Sequence, residues 1–586
     1  MKVKIGYVSD PANIDKVKAD LAKASIVGID TETTGLDPLV NRIRLLQIAT
    51  VDAVWLLDMF KLPTGLVREE ILEKLLPDKR VVKIMQNSKF DLKFLQTSFG
   101  YGLRETRMLF DTYLAAKLLD GGQYTPCGLD ALAYRLLGVS LDKSFQKFDW
   151  SKTLYKEPLA YAGLDAAVLL PLYRVLSNAL EDNQLLRVAK LEFECAPALG
   201  QLELNGILLD KDQWIGISEK HKERSYQTEV HLRQYFGNIN LKSTQQVCKA
   251  LSEITGKTIK SSNKDSLINI LEEYEEAPDL FGNVRDYRPA IVALQQYNET
   301  KKMLDAFGPS FLNFIHKKTG RIHPEYTQIE TNTARNSCRQ PNLQQIPRDS
   351  DMRAAFIPSE GNSMWGADYS QIELRAMAGF TKDEGYVQAF VRGDDLHAAT
   401  AASMFHKDIK DVGPEQRQAG KVINFGVPYG MGATRYAKAM GIDSNQANRE
   451  LRAFYDAHPG LVEWQQTQFR YFKMFNCVRS ASGRIRALPS WRYDEYAAEQ
   501  AAKNFPIQST AADITKLAMV RCFRELPEDI LLVNVVHDEL VHEMPTEMIE
   551  EYGPEIDRLM VESAQEFIQG VPIVVDGKAS PCWSKG

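Results

Sequence analysis

Four carboxylates and one tyrosine in the first third of the chain have the types and spacing of a site that hydrolyses phosphodiester bonds. Asp30 and Glu32 are two residues apart in a predicted strand, so both side chains point to one face of a sheet. Asp91 follows in the segment QNSKFD, and Tyr161 and Asp165 are four residues apart, which places them on one face of a helix.

Carboxylate oxygens are hard ligands that suit Mg²⁺ or Mn²⁺. Two such ions activate a water molecule and stabilise the leaving oxygen, and Tyr161 is placed to orient that water. A single acid such as Asp91 or Asp165 is more often a helix cap or a surface residue, so the interpretation depends on the complete set.

A second pair of acids lies in the C-terminal half. Asp368 ends a short apolar segment just before a predicted helix, and Asp538 lies in the turn of the predicted hairpin ILLVNVVHDELVHEM. Two aspartates on adjoining strands can bind two metal ions, the arrangement used for in-line phosphoryl transfer. Glu539 lies beside them, although adjacent strand residues point to opposite faces.

Between these two aspartates, Arg417, Lys421 and Phe425 are spaced four apart, with Tyr429 just beyond. A helix would show two cations and an aromatic ring along one face, which fits a nucleoside triphosphate. On spacing alone, an amphipathic helix whose basic face meets solvent explains the pattern equally well.

The elements that must position these groups follow from hydrophobic periodicity. The first ~190 residues alternate short β-rich and helical segments, which predicts an α/β domain. Residues 181 to about 320 predict long polar helices. Strand signal returns near residue 364, followed by helices to about 475, another helix at 495–526, and the hairpin.

Length and composition indicate a multidomain globular protein. The chain has 586 residues, 44% of them hydrophobic and 25% charged, which predicts about three or four domains. No apolar segment is expected to span a bilayer, and the N-terminus does not resemble a secretory signal. The seven cysteines are scattered singly, which predicts a reduced compartment and no zinc site.

Net charge argues mildly against a nucleic-acid partner, because the chain carries -6 at pH 7 and phosphate binding needs positive potential. Two groups of basic residues are candidates for a local basic lining, although a solvated helical face is the alternative. These residues are Lys257, Lys260, Lys264, Lys301, Lys302, Lys317, Lys318 and Arg321.

The N-terminal motifs resemble the tyrosine-containing branch of the DEDD exonuclease superfamily. The matching segments are DTETTGL at 30–36, NSKFD at 87–91 and YAGLD at 161–165. The resemblance covers most of residues 1–180 and implies an active 3′→5′ exonuclease. It also implies that Asp30, Glu32, Asp91 and Asp165 are the metal ligands.

The segments DYSQIELR, RQAGKVINFGVPYG and VVHDELVHE resemble the three polymerase motifs of family A DNA polymerases, in the family's order. Three supporting segments also match: TNTARNSCRQPNLQQIP, DLHAATA and EQAAKNFPIQSTAADITK. The resemblance implies a multidomain α/β and α+β fold, with a ribonuclease-H-like exonuclease domain before a right-hand polymerase. The implied domains are exonuclease (1–185), thumb (186–320), first palm part (321–380), fingers (381–490) and second palm part (491–586).

The same resemblance implies roles for individual residues. The catalytic set is Asp368, Asp538 and Glu539, with Asp368, Tyr369 and Asp538 as metal ligands. The expected nucleotide contacts are His397, Arg417, Lys421, Phe425, Tyr429, Gln371 and Glu373, of which Glu373 resembles the steric gate against a ribose 2′-hydroxyl. The expected DNA contacts are Arg335, Asn342, Gln344, Asn504, Gln508 and His537.

Together these features predict template-directed DNA synthesis from a primer, with 3′→5′ proofreading. The expected cofactors are two Mg²⁺ or Mn²⁺ ions per active site, and the expected partners are primer-template DNA and deoxynucleoside triphosphates. The protein is expected to be a monomer without a membrane partner. The expected location is a bacterial or phage-infected cytoplasm or nucleoid, or an organelle; no processivity factor can be named. The 5′ nuclease of full-length bacterial enzymes is expected to be absent. The alternatives are a dedicated nuclease that only grips DNA with its C-terminal half, and a non-enzymatic clamp.

Three residues depart from the family pattern. Pro428 predicts that the preceding helix ends there, because proline disfavours helix at Val427. Gly420 inside that helix costs about 1 kcal/mol of helix propensity, which predicts looser closure of the fingers. Gln500 stands where bacterial relatives usually have arginine, which predicts one weaker DNA contact.

Overall fold

The N-terminal part of the chain folds around a six-stranded sheet in the order β1-β4-β3-β2-β5-β6. In this computed structural model, residues 4–274, 286–348, 351–490 and 492–583 are described. The strands are β1 (Ile5–Val8), β2 (Ile26–Thr33), β3 (Ile43–Ala49), β4 (Val54–Asp58), β5 (Val82–Met85) and β6 (Leu109–Asp111). Strand β3 pairs antiparallel with β2 and β4, whereas the other pairs are parallel.

Helices cover this sheet. They are α1 (Ile14–Leu21), α2 (Thr64–Val67), α3 (Glu73–Leu75), α4 (Lys89–Phe99), α5 (Thr112–Asp120), α6 (Leu129–Leu137) and α7 (Lys156–Asp182). Every residue of β3 is buried, which is the pattern of a strand covered on both faces. The predicted α/β architecture is confirmed for this part of the chain.

Helix α7 is the one candidate membrane span among the described residues, by length and composition alone. The expectation that no apolar segment reaches such a length is therefore wrong. In the structure α7 packs against β2, β3 and β4, because its apolar side chains cover the sheet. That placement is the one expected of a core helix.

A mainly helical region follows, as the polar helical pattern predicts. Its helices are α8 (Leu186–Asn205), α9 (Lys211–Phe236), α10 (Thr244–Thr255), α11 (Lys264–Glu272) and α12 (Arg288–Phe307). The short strands β7 (Ile207–Leu209), β8 (Arg321–Ile322) and β11 (Phe356–Ile357) form a three-stranded sheet, and β9 (Glu325–Thr327) pairs with β10 (Ser337–Arg339). Helix α13 (Asp351–Ala354) precedes β11.

The C-terminal half is built on a four-stranded antiparallel sheet in the order β15-β16-β12-β17. Its strands are β12 (Asn362–Tyr369), β15 (Leu531–Val536), β16 (Glu539–Pro545) and β17 (Val575–Ser580). Strands β15 and β16 form the predicted hairpin, and its two turn residues are His537 and Asp538. The positive φ of 55° at His537 is what a tight two-residue hairpin requires.

Helices and one small hairpin surround this sheet. The helices are α14 (Ile372–Thr381), α15 (Glu384–Arg392), α16 (Leu396–Phe405), α17 (Pro414–Gly426), α18 (Ala433–Met440), α19 (Ser444–Ala457), α20 (Pro459–Phe475), α21 (Glu495–Glu525) and α22 (Ile549–Gln565). Strands β13 (Cys477–Arg479) and β14 (Ile485–Ala487) pair with each other. Helix α17 ends at Gly426, just before Pro428, as predicted. The division into thumb, palm and fingers stays a prediction.

Candidate active sites

The first site forms where α4 and α7 meet strand β2 of the N-terminal sheet. Asp30 and Glu32 lie on β2, and Asp91 lies in the first turn of α4, where it accepts a 2.6 Å hydrogen bond from Oγ1 of Thr31. Asp165 lies on α7, one turn after Tyr161. The structure thus brings together all five residues that the spacing singled out.

The electrostatics of this site are those of crowded, buried carboxylates. Burial raises the pKa of Asp30 and of Glu32 well above the usual range, and their charged neighbours raise both further. Burial also raises the pKa of Asp91 to about 7, against the opposing hydrogen bond from Thr31. Burial raises the pKa of Asp165 to about 6, against the hydrogen bond from Tyr161. A divalent cation would relieve this repulsion.

These acids suit an ion that keeps much of its water. Among residues 4–274, 286–348, 351–490 and 492–583, no three His, Cys, Asp or Glu side chains already form a cage for one ion. Mg²⁺ is usually held by one or two carboxylates together with waters and substrate phosphates, so a complete protein cage is not required. The buried, mutually repelling acids therefore fit a divalent ion whose remaining ligands are water and substrate phosphates.

Two supporting residues of this site were missed by the sequence analysis. Asp111 accepts hydrogen bonds from the backbone of Asn87 and Ser88, and so holds the start of α4 just before Asp91. Gln47, directly across from Asp30 in the sheet, donates a 3.4 Å hydrogen bond to it. Asp111 also caps α5, and the segment FDT is the sequence signal that indicates such a cap.

The second site lies at the end of β12 beside the β15–β16 turn. Asp368 is directly across from Glu539 in the sheet, and the backbone amide of Tyr369 donates to the carbonyl of Asp538 at 3.4 Å. Burial raises the pKa of Asp538 to about 6; Arg335 opposes this shift, and the charges of Glu373 and Asp368 add to it. In the described part of the chain, the buried Oδ1 of Asp538 has no hydrogen-bond partner. A buried carboxylate oxygen that accepts no hydrogen bond, beside a second aspartate, fits a divalent ion.

The side chains of Glu539 and Tyr369, two of the predicted site residues, contact other protein groups. The Glu539 carboxylate is buried against Nη1 of Arg353 at 3.1 Å and Nε1 of Trp583 at 3.3 Å, which makes it a buried structural partner. Strand alternation explains this placement, since Glu539 points away from its neighbour Asp538. The Tyr369 hydroxyl donates to the carbonyl of Met560 at 2.6 Å, so its side chain is not a metal ligand and only its backbone remains for that role.

Helices α16 and α17 bring the predicted phosphate contacts together. Arg417 is held by Asp395, with Nη2 and Oδ2 2.6 Å apart, and both side chains are about half exposed. His397 is buried, and its ring lies 5.3 Å from that of Phe425. Burial lowers the pKa of His397, and the nearby charges of Arg417 and Lys421 lower it further, against that of Asp395.

A second set of predicted contacts surrounds Glu373. Its Oε1 lies 2.7 Å from Nη2 of Arg335, and its Oε2 accepts a 2.6 Å hydrogen bond from the Tyr429 hydroxyl. Nη2 of Arg335 also lies 3.6 Å from Oδ1 of Asp538. Gln371 is exposed at the start of α14 with a φ of 56°.

The predicted DNA contacts are mostly occupied by protein groups. Gln344 donates to the carbonyls of Asn336 and Val535, both at 3.3 Å. The side chain of Asn504 donates to the carbonyl of Tyr429 at 3.3 Å. The remaining members are Asn342, which caps a short 3-10 helix, half-buried Gln508 and exposed His537.

One member of the proposed basic lining is not available to DNA. Arg321 is largely buried in an ion pair with Glu543, whose Oε2 lies 2.5 Å away, and it also donates to the carbonyl of Gly206. Arg348, which the sequence analysis did not single out, lies 3.5 Å from Asp368 with its side chain 43% exposed. Because Arg348 is a single arginine in a loop, no regular spacing in the sequence indicates that it lies near Asp368.

The packing of the structure accounts for two of the residues that depart from the family pattern, Gly420 and Gln500. A Cβ at Gly420 would lie 2.1 Å from the carbonyl oxygen of His397, so this glycine permits close contact between α16 and α17. Gly420 thus has a packing role besides its cost in helix propensity, and looser closure of the fingers stays a prediction. The Gln500 amide packs against the backbone of Gly430, where a Cβ would lie 1.5 Å from Oε1.

Comparison with known proteins identifies two protein families along the chain. Residues 211–585 match the profile of DNA polymerase family A, and residues 5–181 match that of a 3′-5′ exonuclease. The chain therefore belongs to DNA polymerase family A and has a 3′-5′ exonuclease domain in its N-terminal third. Both kinds of domain generally depend on divalent metal ions.

The curated relatives are bacterial. DNA polymerase I of Aquifex aeolicus is 29% identical, with 99% of each chain covered. DNA polymerase I of Pseudomonas aeruginosa is 30% identical, and the chain spans 66% of its length. That of Borreliella burgdorferi is 28% identical, and the chain spans 65% of it.

Among solved structures, the POL domain of Pol1 from M. smegmatis in complex with DNA primer-template and dNTP is similar, with a TM-score of 0.84. It is 25% identical in sequence, and 99% of each chain is covered. The predicted order, an exonuclease domain before a polymerase domain, is confirmed.

Proposed function

We propose that this chain extends a DNA primer with deoxynucleoside triphosphates, as directed by a DNA template, and removes mismatched 3′ ends at a separate site. The observation that carries the proposal is the presence of two carboxylate sites on two different sheets, each with at least one acid whose pKa is raised by burial. The M. smegmatis relative, which was solved with DNA primer-template and dNTP, supports these partners.

In the polymerase site, Asp368 and Asp538 would hold Mg²⁺ or Mn²⁺. When bound, two such ions would lower the pKa of the primer hydroxyl and neutralise charge on the phosphates. Arg417 and Lys421 lie on one helix face where they would bind the triphosphate, and exposed Phe425 would lie against the base or sugar. Glu373, fixed by two hydrogen bonds, would crowd a ribose 2′-hydroxyl.

In the exonuclease site, Asp30, Glu32, Asp91 and Asp165 would hold the ions. Burial and the charge of Asp165 raise the pKa of Tyr161, so its hydroxyl stays protonated at neutral pH. That hydroxyl would orient the attacking water. A second hydrolytic site is physically useful, because one binding step discriminates between base pairs by a limited factor.

The test is extension of a primed, gapped template with matched and mismatched primer ends, at several Mg²⁺ concentrations and with EDTA. We expect Asp368→Ala or Asp538→Ala to abolish extension and to leave single-strand digestion intact. We expect Asp30→Ala with Glu32→Ala to have the opposite effect. Loss of both activities in either variant would contradict two independent sites.

The same assay separates the alternatives. A dedicated nuclease would digest single strands but incorporate no nucleotide, and a clamp would do neither. The monomeric state and the cellular location are part of the proposal as well, and size-exclusion chromatography with light scattering tests the first.

A further inference from the structure

A loop of the C-terminal half is held by a helix of the exonuclease domain. The hydroxyl of Tyr113 on α5 donates a 2.8 Å hydrogen bond to Oε1 of Glu330, and Nζ of Lys117, one turn later, lies 3.3 Å from the same oxygen. Beyond α5, the hydroxyl of Tyr124 donates to Oδ1 of Asn332 at 3.2 Å. We name residues 329–335 the Arg335 loop.

The contacts of Glu330 with Tyr113 and Lys117 are partly protected from solvent. The Lys117 side chain is 15% exposed and that of Glu330 is 35% exposed, so their attraction is screened less than at an open surface. Lys117 also lies 5.5 Å from the centre of the Tyr113 ring. Burial and the Glu330 carboxylate raise the pKa of Tyr113, so its hydroxyl remains a donor across the neutral pH range.

The other end of the Arg335 loop reaches the polymerase site. Arg335 contacts Glu373 at 2.7 Å and lies 3.6 Å from Asp538. Within the loop, Oγ1 of Thr331 donates to the carbonyl of Arg335 at 3.0 Å. A continuous set of contacts therefore joins α5 to the residue beside the catalytic aspartate.

The backbone of this loop is strained at both ends. Ile329 has a φ of 59° and Ala334 a φ of 60°, in the left-handed region that L-residues rarely adopt and β-branched residues avoid most. Such conformations persist when the surrounding contacts impose them, and they concentrate at functional positions. Ile329 directly precedes Glu330, where α5 holds the loop.

We infer that Tyr113 and Lys117 of the exonuclease domain, acting through Glu330, position Arg335 for primer-template binding in the polymerase site. The exonuclease domain thus contributes positioning residues to DNA synthesis as well as its own catalytic site. This inference rests on the proposed function, since it needs Arg335 to contact the primer-template.

The test compares Tyr113→Phe and Glu330→Gln with Tyr134→Phe, a control at an exposed tyrosine of α6 in the same domain. Tyr113→Phe and Glu330→Gln are each expected to raise the KM for primer-template in the extension assay by about three- to tenfold, which is the scale of one lost hydrogen bond. We expect a smaller change in kcat, unchanged single-strand digestion, and no effect of Tyr134→Phe.

A double-mutant cycle with Arg335→Ala separates positioning from general destabilisation. If Tyr113 acts through Arg335, Tyr113→Phe causes no further loss in the Arg335→Ala background. Additive losses, or a Tyr113→Phe enzyme that behaves like Tyr134→Phe, would overturn the inference. Absence of extension by the unmodified chain would instead overturn the proposed function.

Discussion

The hydroxyl of Tyr429 donates a 2.6 Å hydrogen bond to Oε2 of Glu373, and so joins the segment after α17 to the start of α14. The opposite oxygen of the same carboxylate pairs with Arg335. Burial and the Glu373 charge raise the pKa of Tyr429, so the hydroxyl stays protonated and can donate. Glu373 is thereby held in one orientation beside Asp538.

This orientation of Glu373 predicts how the enzyme discriminates between deoxyribonucleotides and ribonucleotides. Removing the carboxylate in Glu373→Ala should raise the ratio of ribonucleotide to deoxynucleotide incorporation by at least about tenfold, because a clash with the 2′-hydroxyl is relieved. Single-nucleotide incorporation kinetics measure the ratio. Glu384→Ala, in the first turn of the next helix, is the control. An unchanged ratio in Glu373→Ala would rule out the steric-gate role.

A buried ionic cluster predicts a large loss of stability. Glu192 on α8 is completely buried and pairs with Lys516, 2.6 Å away on α21, and with Arg484. Glu192→Gln removes the counter-charge of Lys516 and leaves Arg484 paired with Asp513 alone, so it should cost about 3–5 kcal/mol in the free energy of unfolding. Chemical denaturation measures the cost. Glu194→Gln, whose partner Lys190 lies 3.9 Å away at the surface, should cost under about 0.5 kcal/mol.

The same cluster should weaken in acid. Burial opposes ionisation of Glu192, but the charges of Lys516 and Arg484 outweigh it and hold its pKa below the usual range. The stabilisation is therefore present above the unfolded pKa of about 4.3 and is lost as pH falls through the folded pKa. A Glu192→Gln cost that does not shrink on acidification would contradict this assignment.

Two helical glycines should respond oppositely to alanine. At Gly420 the new methyl group would overlap the His397 carbonyl, so Gly420→Ala should destabilise by about 1–3 kcal/mol and raise KM for the nucleotide. At Gly216 in α9 nothing lies within 4 Å, so Gly216→Ala should stabilise by about 0.5–1 kcal/mol. Thermal unfolding and incorporation kinetics test both. A gain in stability at Gly420 would show that α16 and α17 are not in close contact there.

Removing the charge of Asp557 on α22 is predicted to stabilise the protein by an amount that depends on pH. Burial raises its pKa to about 6, the Trp365 indole hydrogen bond opposes this, and the charge of Asp576 adds to it. Its contribution to stability is full below the unfolded pKa of about 3.9 and is lost as pH rises through the folded value. Because Asp557 is partly exposed, the screened effect is about 1 kcal/mol.

Asp557→Asn keeps an acceptor for the 3.0 Å hydrogen bond from Trp365 and removes the charge. It should therefore stabilise the protein by about 1 kcal/mol near pH 8 and by much less near pH 4. Denaturation at the two pH values measures this difference. Asp529→Asn at the exposed surface is the control, and an equal gain at both pH values would contradict the raised pKa.

The sequence by itself determined the features that depend on local geometry. The two-residue spacing of Asp30 and Glu32 and the four-residue spacing of Tyr161 and Asp165 predicted shared faces, because strands and helices have fixed periods. The turn at Asp538 and the end of α17 before Pro428 follow from local backbone chemistry as well. The family motifs placed these elements in order.

Only the tertiary structure decided the pairings between distant residues. Neither helical nor strand periodicity links Glu539 to Arg353 or Gly420 to the carbonyl of His397. The same holds for Tyr113 and Glu330, which are 217 residues apart. Burial decides which acids repel, which cations are already paired and which glycines allow close packing, and burial depends on how helices and sheets pack over the whole chain. The acids of both sites could therefore be predicted from the sequence, whereas the contacts that orient them could not.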